Sequence, residues 1–263
     1  MIFILFLLGV CQASRLESYI RTLECNIEVV TDLTSVSFDQ PFILRRGKEH
    51  LNTIQEEMNI DKLISSIGDK IVGVDYPGPE PPPSPAWKEI TMREYLDTIL
   101  PLENMSLAEA LLSNKRMVHL WGPSDACNRF SPDCDDPFST RFVPHHVYPM
   151  YKCPWEGAKD ILWGLAGKYT GLPFHSHGWV SNEVIYGKKL WMVYEPEVSY
   201  HTYNYTTLDI LHNMMEYIED RDFRFPKMCI LEEGDVINIP SFWEHLSFNL
   251  ETTMMVGCAY EFF

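Results

Sequence analysis

The sequence predicts a mainly β protein with α-helical additions, its strands closed into a sandwich or barrel. Three observations predict it. From residue 160 onward, short apolar runs alternate with glycine and polar turns, the texture of antiparallel sheets. Helical patterning, including a capping box, falls mostly before that point. His175-Ser176-His177 and His245 lie on or beside strand-like runs, where a period of two sends alternate side chains to one face.

With 263 residues the chain is long enough to bury a real core. Apolar content of 46% and aromatic content of 13% exclude a largely disordered chain. A formal charge of −16 argues against nucleic acid as a partner, because phosphate binding needs a basic face. The basic cluster Arg45-Arg46-Gly47-Lys48 is too short to reverse that balance and reads as a solvated loop.

The N-terminus has the pattern of a secretory signal. Ile2 to Val10 is apolar, and Cys11-Gln12-Ala13 puts small residues where cleavage needs them, after Ala13. That run is too short to span a bilayer, so no stable membrane span is expected. Cleavage leaves six cysteines: Cys25, Cys127, Cys134, Cys153, Cys229 and Cys258. An even number suits disulfides in an oxidising compartment, and six allow fifteen pairings. Cys127 with Cys134 is the most local candidate pair. Two glycosylation sequons, at Asn104 and Asn204, agree with an exported chain.

In order along the chain, Pro41 to Leu44 reads as a strand, and a helix follows near Glu49 to Glu57. Leu63 to Gly68 closes a short helix with glycine, and Lys70 to Val74 is a strand. Pro77 to Pro85 is an exposed loop, because prolines at that density fit neither helix nor inner strand. Thr91-Met92-Arg93-Glu94 starts a helix that runs to about Leu100, and another spans about Ser106 to Asn114 before a strand at Met117 to Trp121. Residues 122–158 lack periodicity, and His145-His146 there reads as structural.

The barrel strands follow: Asp160 to Gly167, Leu172 to His177, Glu183 to Tyr186 and Lys189 to Tyr194. Thr206 to Ile218 is an amphipathic helix, with Leu208, Leu211 and Met215 on one side. Cys229 to Leu231, Val236 to Ile239, His245 to Leu250 and Thr253 to Tyr260 complete the set, with a hairpin turn at Glu232 to Asp235. Trp191 and Trp243 read as core packing. His119, His201 and His212 have no partner by spacing.

Spacing carries the functional argument. Gly234-x5-Pro240-x4-His245-x3-Asn249 resembles the second cupin motif, with Phe242 where glycine is usual, and His175-x-His177-x5-Glu183 resembles the first. Gly187-Lys188-Lys189-Leu190-Trp191, followed by Tyr194-Glu195-Pro196, is similar to the G-x-K-x-W…Y-x-P run of the JmjC family, and Pro41 to Gly47 to its opening strand. The resemblance implies a double-stranded β-helix, the JmjC/cupin jelly roll, with an N-terminal helical cover. Residues 14–263 would then be one domain, with cover and irregular insert over 14–158 and barrel core over 159–263, after a signal peptide at 1–13. Asp32-Leu33-Thr34, Ile67-Gly68-Asp69 and Gly171 to Gly187 resemble a JmjC protein of the endoplasmic reticulum lumen, with secretion as the alternative.

JmjC enzymes use iron(II), 2-oxoglutarate and oxygen to hydroxylate a substrate. The resemblance implies His175, His177 and His245 as metal ligands and Lys189 as the cation for the cosubstrate carboxylate; taken alone, Lys189 would read as a surface residue. Two departures stand out: His177 replaces a carboxylate, and Leu172 replaces a hydroxyl residue that helps hold the cosubstrate. If strand parity holds from Lys189 back to Glu183, that carboxylate would be a fourth ligand; a bulge between them would turn it away. The departures, with Glu244 beside His245, put a non-catalytic or divergent regulator working through protein contacts ahead of an Fe(II)/2-oxoglutarate-dependent hydroxylase of a protein substrate. A secreted zinc-dependent cupin is the third reading.

Overall fold

Residues 189–194 (KLWMVY) are buried without interruption, which a strand achieves only with protein on both faces. The computed structural model describes residues 13–34, 36–69, 71–76, 86–112, 119–121, 160–198, 207–215 and 224–259. This run is strand β9 (Lys189–Tyr194) of a four-stranded sheet ordered β10-β9-β12-β7, with β7 (Gly171–His175), β10 (Lys227–Leu231) and β12 (Glu244–Asn249). Facing it is a nine-stranded sheet ordered β1-β2-β11-β8-β13-β6-β5-β3-β4. Its strands are β1 (Glu28–Val30), β2 (Phe42–Arg45), β3 (Ile71–Tyr76), β4 (Ala86–Thr91), β5 (His119–Trp121), β6 (Asp160–Ala166), β8 (Val180–Tyr186), β11 (Asp235–Ile239) and β13 (Thr253–Ala259). The fold is the mainly β, double-stranded β-helix jelly roll expected of a JmjC/cupin chain, with helices packed outside it.

Alternation along the strands sorts the side chains into three layers. Trp191 and Val193 turn inward with Ile43, Val184, Ile237 and Met255 from the larger sheet. Leu190, Met192 and Tyr194, with Leu246 and Phe248 of β12, turn outward. There they meet Leu16 of helix α1 (residues 13–22), Leu107 of α5 (Leu107–Leu112) and Leu208 and Leu211 of α6 (Thr207–Met214). The outer face of the larger sheet packs Phe42, Ile185, Val236 and Val256 under α2 (Asn52–Glu57), α3 (Ile60–Ile67) and α4 (Met92–Ile99). Apolar burial on this scale, at about 25 cal/mol per Å² removed from water, is the main stabilising term.

Local signals account for the element ends. Asn59 caps α3 by accepting from the Lys62 N–H. Thr91 and Glu94 form the reciprocal capping box at the start of α4, and Tyr95 in that helix donates to the Leu165 carbonyl of β6 at 2.6 Å. Gly234 turns β10 into β11 at φ +85°, where a Cβ would meet the Gly47 carbonyl oxygen at 2.2 Å. Pro173 is tolerated in β7 because that strand lies at a sheet edge.

Several expectations need adjustment. Strand β4 was not anticipated; it hairpins antiparallel onto β3 across the proline segment. The strand expected over 172–177 ends at His175, so His177 is placed by a loop. Arg45-Arg46-Gly47-Lys48 is no freely solvated loop, for Arg45 pairs with Asp235, Arg46 with Glu183 and Lys48 with Glu233. Cys25 is bonded to Cys229, tying the segment after α1 to β10 over a separation of 204 residues, and Cys258 is also disulfide-bonded. The proline loop 77–85, His145-His146, Cys127, Cys134 and Cys153, and the sequon at Asn204 lie outside the described residues. No helix among the described residues is long and apolar enough to cross a membrane.

Because the Cys25–Cys229 bond closes a long loop, it restricts the unfolded chain strongly. Replacing both cysteines with serine should remove about 2–5 kcal/mol of stability. Guanidinium unfolding checks this, the expectation being a lower midpoint with native far-ultraviolet circular dichroism before the transition.

Candidate metal centre

His245, the second residue of β12, lies directly opposite His175, the last residue of β7. Their ring centroids are 4.3 Å apart. His177 joins them from the loop beyond β7, at 4.7 Å from His245 and 5.4 Å from His175. That loop is held by the neighbouring one, since the Phe242 N–H donates to the His177 carbonyl at 2.9 Å. Phe242 has φ +68° and is 70% exposed. Thus the chain keeps a glycine-like backbone with an aromatic residue, at a cost of about 1–2 kcal/mol.

All three rings are oriented the same way chemically. Nδ1 of His175 donates to the Pro173 carbonyl at 2.8 Å, Nδ1 of His177 to the Gly178 carbonyl at 2.7 Å, and Nδ1 of His245 to the Trp243 carbonyl at 2.9 Å. A neutral imidazole that donates from Nδ1 presents a lone pair on Nε2. Burial, with a smaller contribution from the His177 charge, pushes His175 down to about 4. Burial lowers His177, and burial with the neighbouring histidines takes His245 well below its ordinary value. At neutral pH the cluster is therefore three uncharged donors.

One candidate ligand atom from each of His175, His177 and His245 falls within 4.8 Å of the others. Nitrogen ligands sit about 2.0–2.1 Å from a zinc-sized divalent ion, so modest side-chain closure would surround one. Backbone carbonyls behind each Nδ1 fix ring orientation as supporting partners do in metal sites. The residues fit a borderline divalent cation such as iron(II), zinc or copper(II).

Glu183 does not join them. It is completely buried, with its carboxylate held by Arg46 Nη1 at 2.9 Å and His50 Nε2 at 2.5 Å. The reason is a register shift in the β8–β13 pairing: Met254 faces Tyr186 while Met255 faces Val184. The extra residue, Ile185, breaks the parity between Glu183 and Lys189 and leaves Glu183 on the face that packs beneath α2.

Lys189 does point inward. It is 1% exposed, its Nζ donates to Asn249 Oδ1 at 3.1 Å and lies 5.7 Å from the centre of the Trp191 ring. Burial lowers this ammonium to about 7. Asn249 is itself fixed, donating from Nδ2 to the carbonyl and hydroxyl of Thr170 at 3.0 Å each. Trp191 lies 5.9 Å from His245, so one inward row runs from the histidines past the indole to the cation. Sequence reasoning assigned no role to Asn249, Arg46 or His50; the spacing of Asn249 after His245 was the available signal.

The pH dependence of the cluster has a definite sign. Free imidazoles take up protons near 6.5, whereas folded His175 resists until about 4. Unfolding therefore absorbs protons in that window, and the stability contributed by neutral burial is full above about pH 6.5 and lost as pH falls toward 4. Chemical-denaturation midpoints of the metal-free protein should fall across this interval, and the His175→Phe variant should show a shallower fall.

No protein-family model matches the chain. It is similar to JmjC domain-containing protein 8 of Homo sapiens, 26% identical over 241 residues that cover 89% of this chain and 83% of the relative. It is also similar to the Mus musculus protein of the same name, 38% identical over 96 residues, covering 36% of this chain and 35% of the relative. A more distant match is the 2-oxoglutarate and iron-dependent oxygenase JMJD4 of Danio rerio, 25% identical over 206 residues, 63% of this chain and 47% of the relative. Over most of its length the chain is thus similar to a JmjC domain-containing protein, and its barrel topology agrees with that likeness.

Proposed function

We propose that this chain is a divergent JmjC protein of the secretory pathway that holds a divalent metal on His175, His177 and His245 and acts chiefly through protein contacts. The observation that carries the reading is the convergence of three neutral Nε2 donors with no carboxylate among them. Bound there, a divalent ion would supply Lewis acidity and a fixed coordination point. The chain's own residues would orient it through the Nδ1–carbonyl bonds and exclude water on the buried His245 side. With no carboxylate joining the three histidines among the described residues, the set departs from the two-histidine, one-carboxylate arrangement that supports oxygen activation at iron.

Residues 14–263 are read as one domain, because the nine-stranded sheet continues from the barrel strands into β3, β4 and β5. Residues 1–13 are read as a signal peptide. The Cys25–Cys229 bond supports an oxidising compartment, either the endoplasmic reticulum lumen or the exterior. Exposed Asn104 would carry a glycan, as would Asn204. Protein sequencing of the mature chain should start at Ser14, and endoglycosidase treatment should increase its mobility.

A second reading, an Fe(II)/2-oxoglutarate-dependent protein hydroxylase, is favoured by Lys189. This cation is buried beneath the histidines and would pair with a cosubstrate carboxylate. Metal analysis combined with a 2-oxoglutarate turnover assay separates the two. The proposed function expects bound metal, lost in His175→Ala and His245→Ala, with no succinate above background. Succinate formation abolished by Lys189→Met would establish the hydroxylase instead.

A further inference from the structure

We infer that the end of the barrel away from the histidines carries a docking groove for a segment of a partner protein in which lysine or arginine flanks large apolar side chains. It rests on the protein-contact reading above and adds to it a surface and a partner chemistry. His245 is the second residue of β12, and the turn at residues 250–252 follows the far end of that strand. There the β8–β9 and β12–β13 turns, the start of α3 and the helical turn Leu100–Asn104 border a cavity of about 560 Å³. Its floor is an edge of the outer core. Met58, Leu165 and Met254 are buried there, and Ile60 and Leu100 are partly buried along the walls. Ligand clefts commonly span about 300–1,000 Å³ and combine an apolar lining with a few polar groups that fix orientation.

The charged groups here are carboxylates. Asp61, Glu103 and Glu251 line the cavity and are exposed, and among the described residues no lysine, arginine or histidine lines it. The Glu103 carboxylate accepts from the Thr252 N–H, which ties the Leu100–Asn104 turn to the β12–β13 turn. Two lysines close by have other commitments. Lys188 pairs with Glu232 at 2.8 Å, although Glu251 also favours its charge, and Lys168 donates to the Glu103 carbonyl at 3.2 Å. Lysine and arginine side chains suit such a rim, because their stems lie along apolar walls while their heads reach the carboxylates. The three carboxylates stand on three different segments, so basic residues spaced along a peptide match them better than a single amine does. A formal charge of −16 favours approach of a cationic segment and disfavours a second copy of this chain.

The test uses the full processed chain after enzymatic removal of glycans, because the sequon at Asn104 adjoins Glu103. The probe is a fluorescein-labelled octapeptide of alternating lysine and leucine. Serine-for-leucine and glutamate-for-lysine versions separate the contributions of charge and apolar surface. Fluorescence anisotropy should show saturable binding of the lysine–leucine peptide, with each control peptide weaker by about tenfold or more. Reversing two rim charges, Asp61→Lys with Glu251→Lys, should weaken it by about tenfold. The same change of net charge elsewhere, Glu24→Lys with Glu28→Lys at exposed positions, should leave binding as in wild type. Bound peptide should also slow amide hydrogen exchange at residues 58–61 and 251–254. No saturable binding, equal loss in both double variants, or protection confined to other segments would overturn the inference. Displacement of the peptide by octylamine at equal affinity would assign the cavity to small amphiphilic amines and overturn it too. A wild-type dimer that the Asp61→Lys, Glu251→Lys variant dissociates would assign it to a second copy, with the same consequence. None of these outcomes alters succinate formation, which decides the protein-contact reading separately.

Discussion

The register between β7 and β12 is the constraint on which the site depends. With His245 opposite His175, two imidazoles share one face of the smaller sheet, and the strand period then places Ser247 and Asn249 below them. The same period on β9 lines Val193, Trp191 and Lys189 beside that row. Slipping β12 by one residue would turn Leu246 and Phe248 into the barrel and send the histidine toward α6. The outward packing of those apolar residues against helices therefore holds the polar row in place. Core and site are two faces of the same strands.

Much of this was legible because it is local. Alternation, turn glycines and the capping box revealed the barrel strands, the Glu232–Asp235 turn and the start of α4, and strand spacing singled out His175, His177 and His245, which the fold brings together, whereas Lys189 followed from the family resemblance alone. What escaped was set by tertiary pairing. Cys229 gave no hint of Cys25, because disulfide connectivity depends on which segments the fold brings together. Arg45 and Arg46 looked like solvated charge because their acidic partners lie far along the chain. His177 reached the cluster for a reason other than the one expected: the strand stops at His175, and a backbone bond from Phe242 positions the loop.

Glu183 shows how one inserted residue redistributes charge. The irregularity at Ile185 puts a carboxylate on the outside of the barrel, where it anchors Arg46 and His50 of the N-terminal cover. Among the described residues, the inward row at the site carries the three imidazoles and Lys189. Desolvation of the fully buried Glu183 carboxylate offsets much of its attraction to Arg46, so the pair adds little net stability.

The place of β7 at the edge of its sheet has a dynamic consequence. It hydrogen-bonds to a single neighbouring strand, and Pro173 removes one of its amide donors. Opening of the barrel should therefore begin with β7 peeling from β12, well below the free energy of global unfolding, while the doubly covered β9 stays closed. His175 rides on the strand that peels and His245 on the strand that remains. Any ligand gripping both works as a clasp across that seam, linking occupancy of the site to how often this rim of the protein breathes.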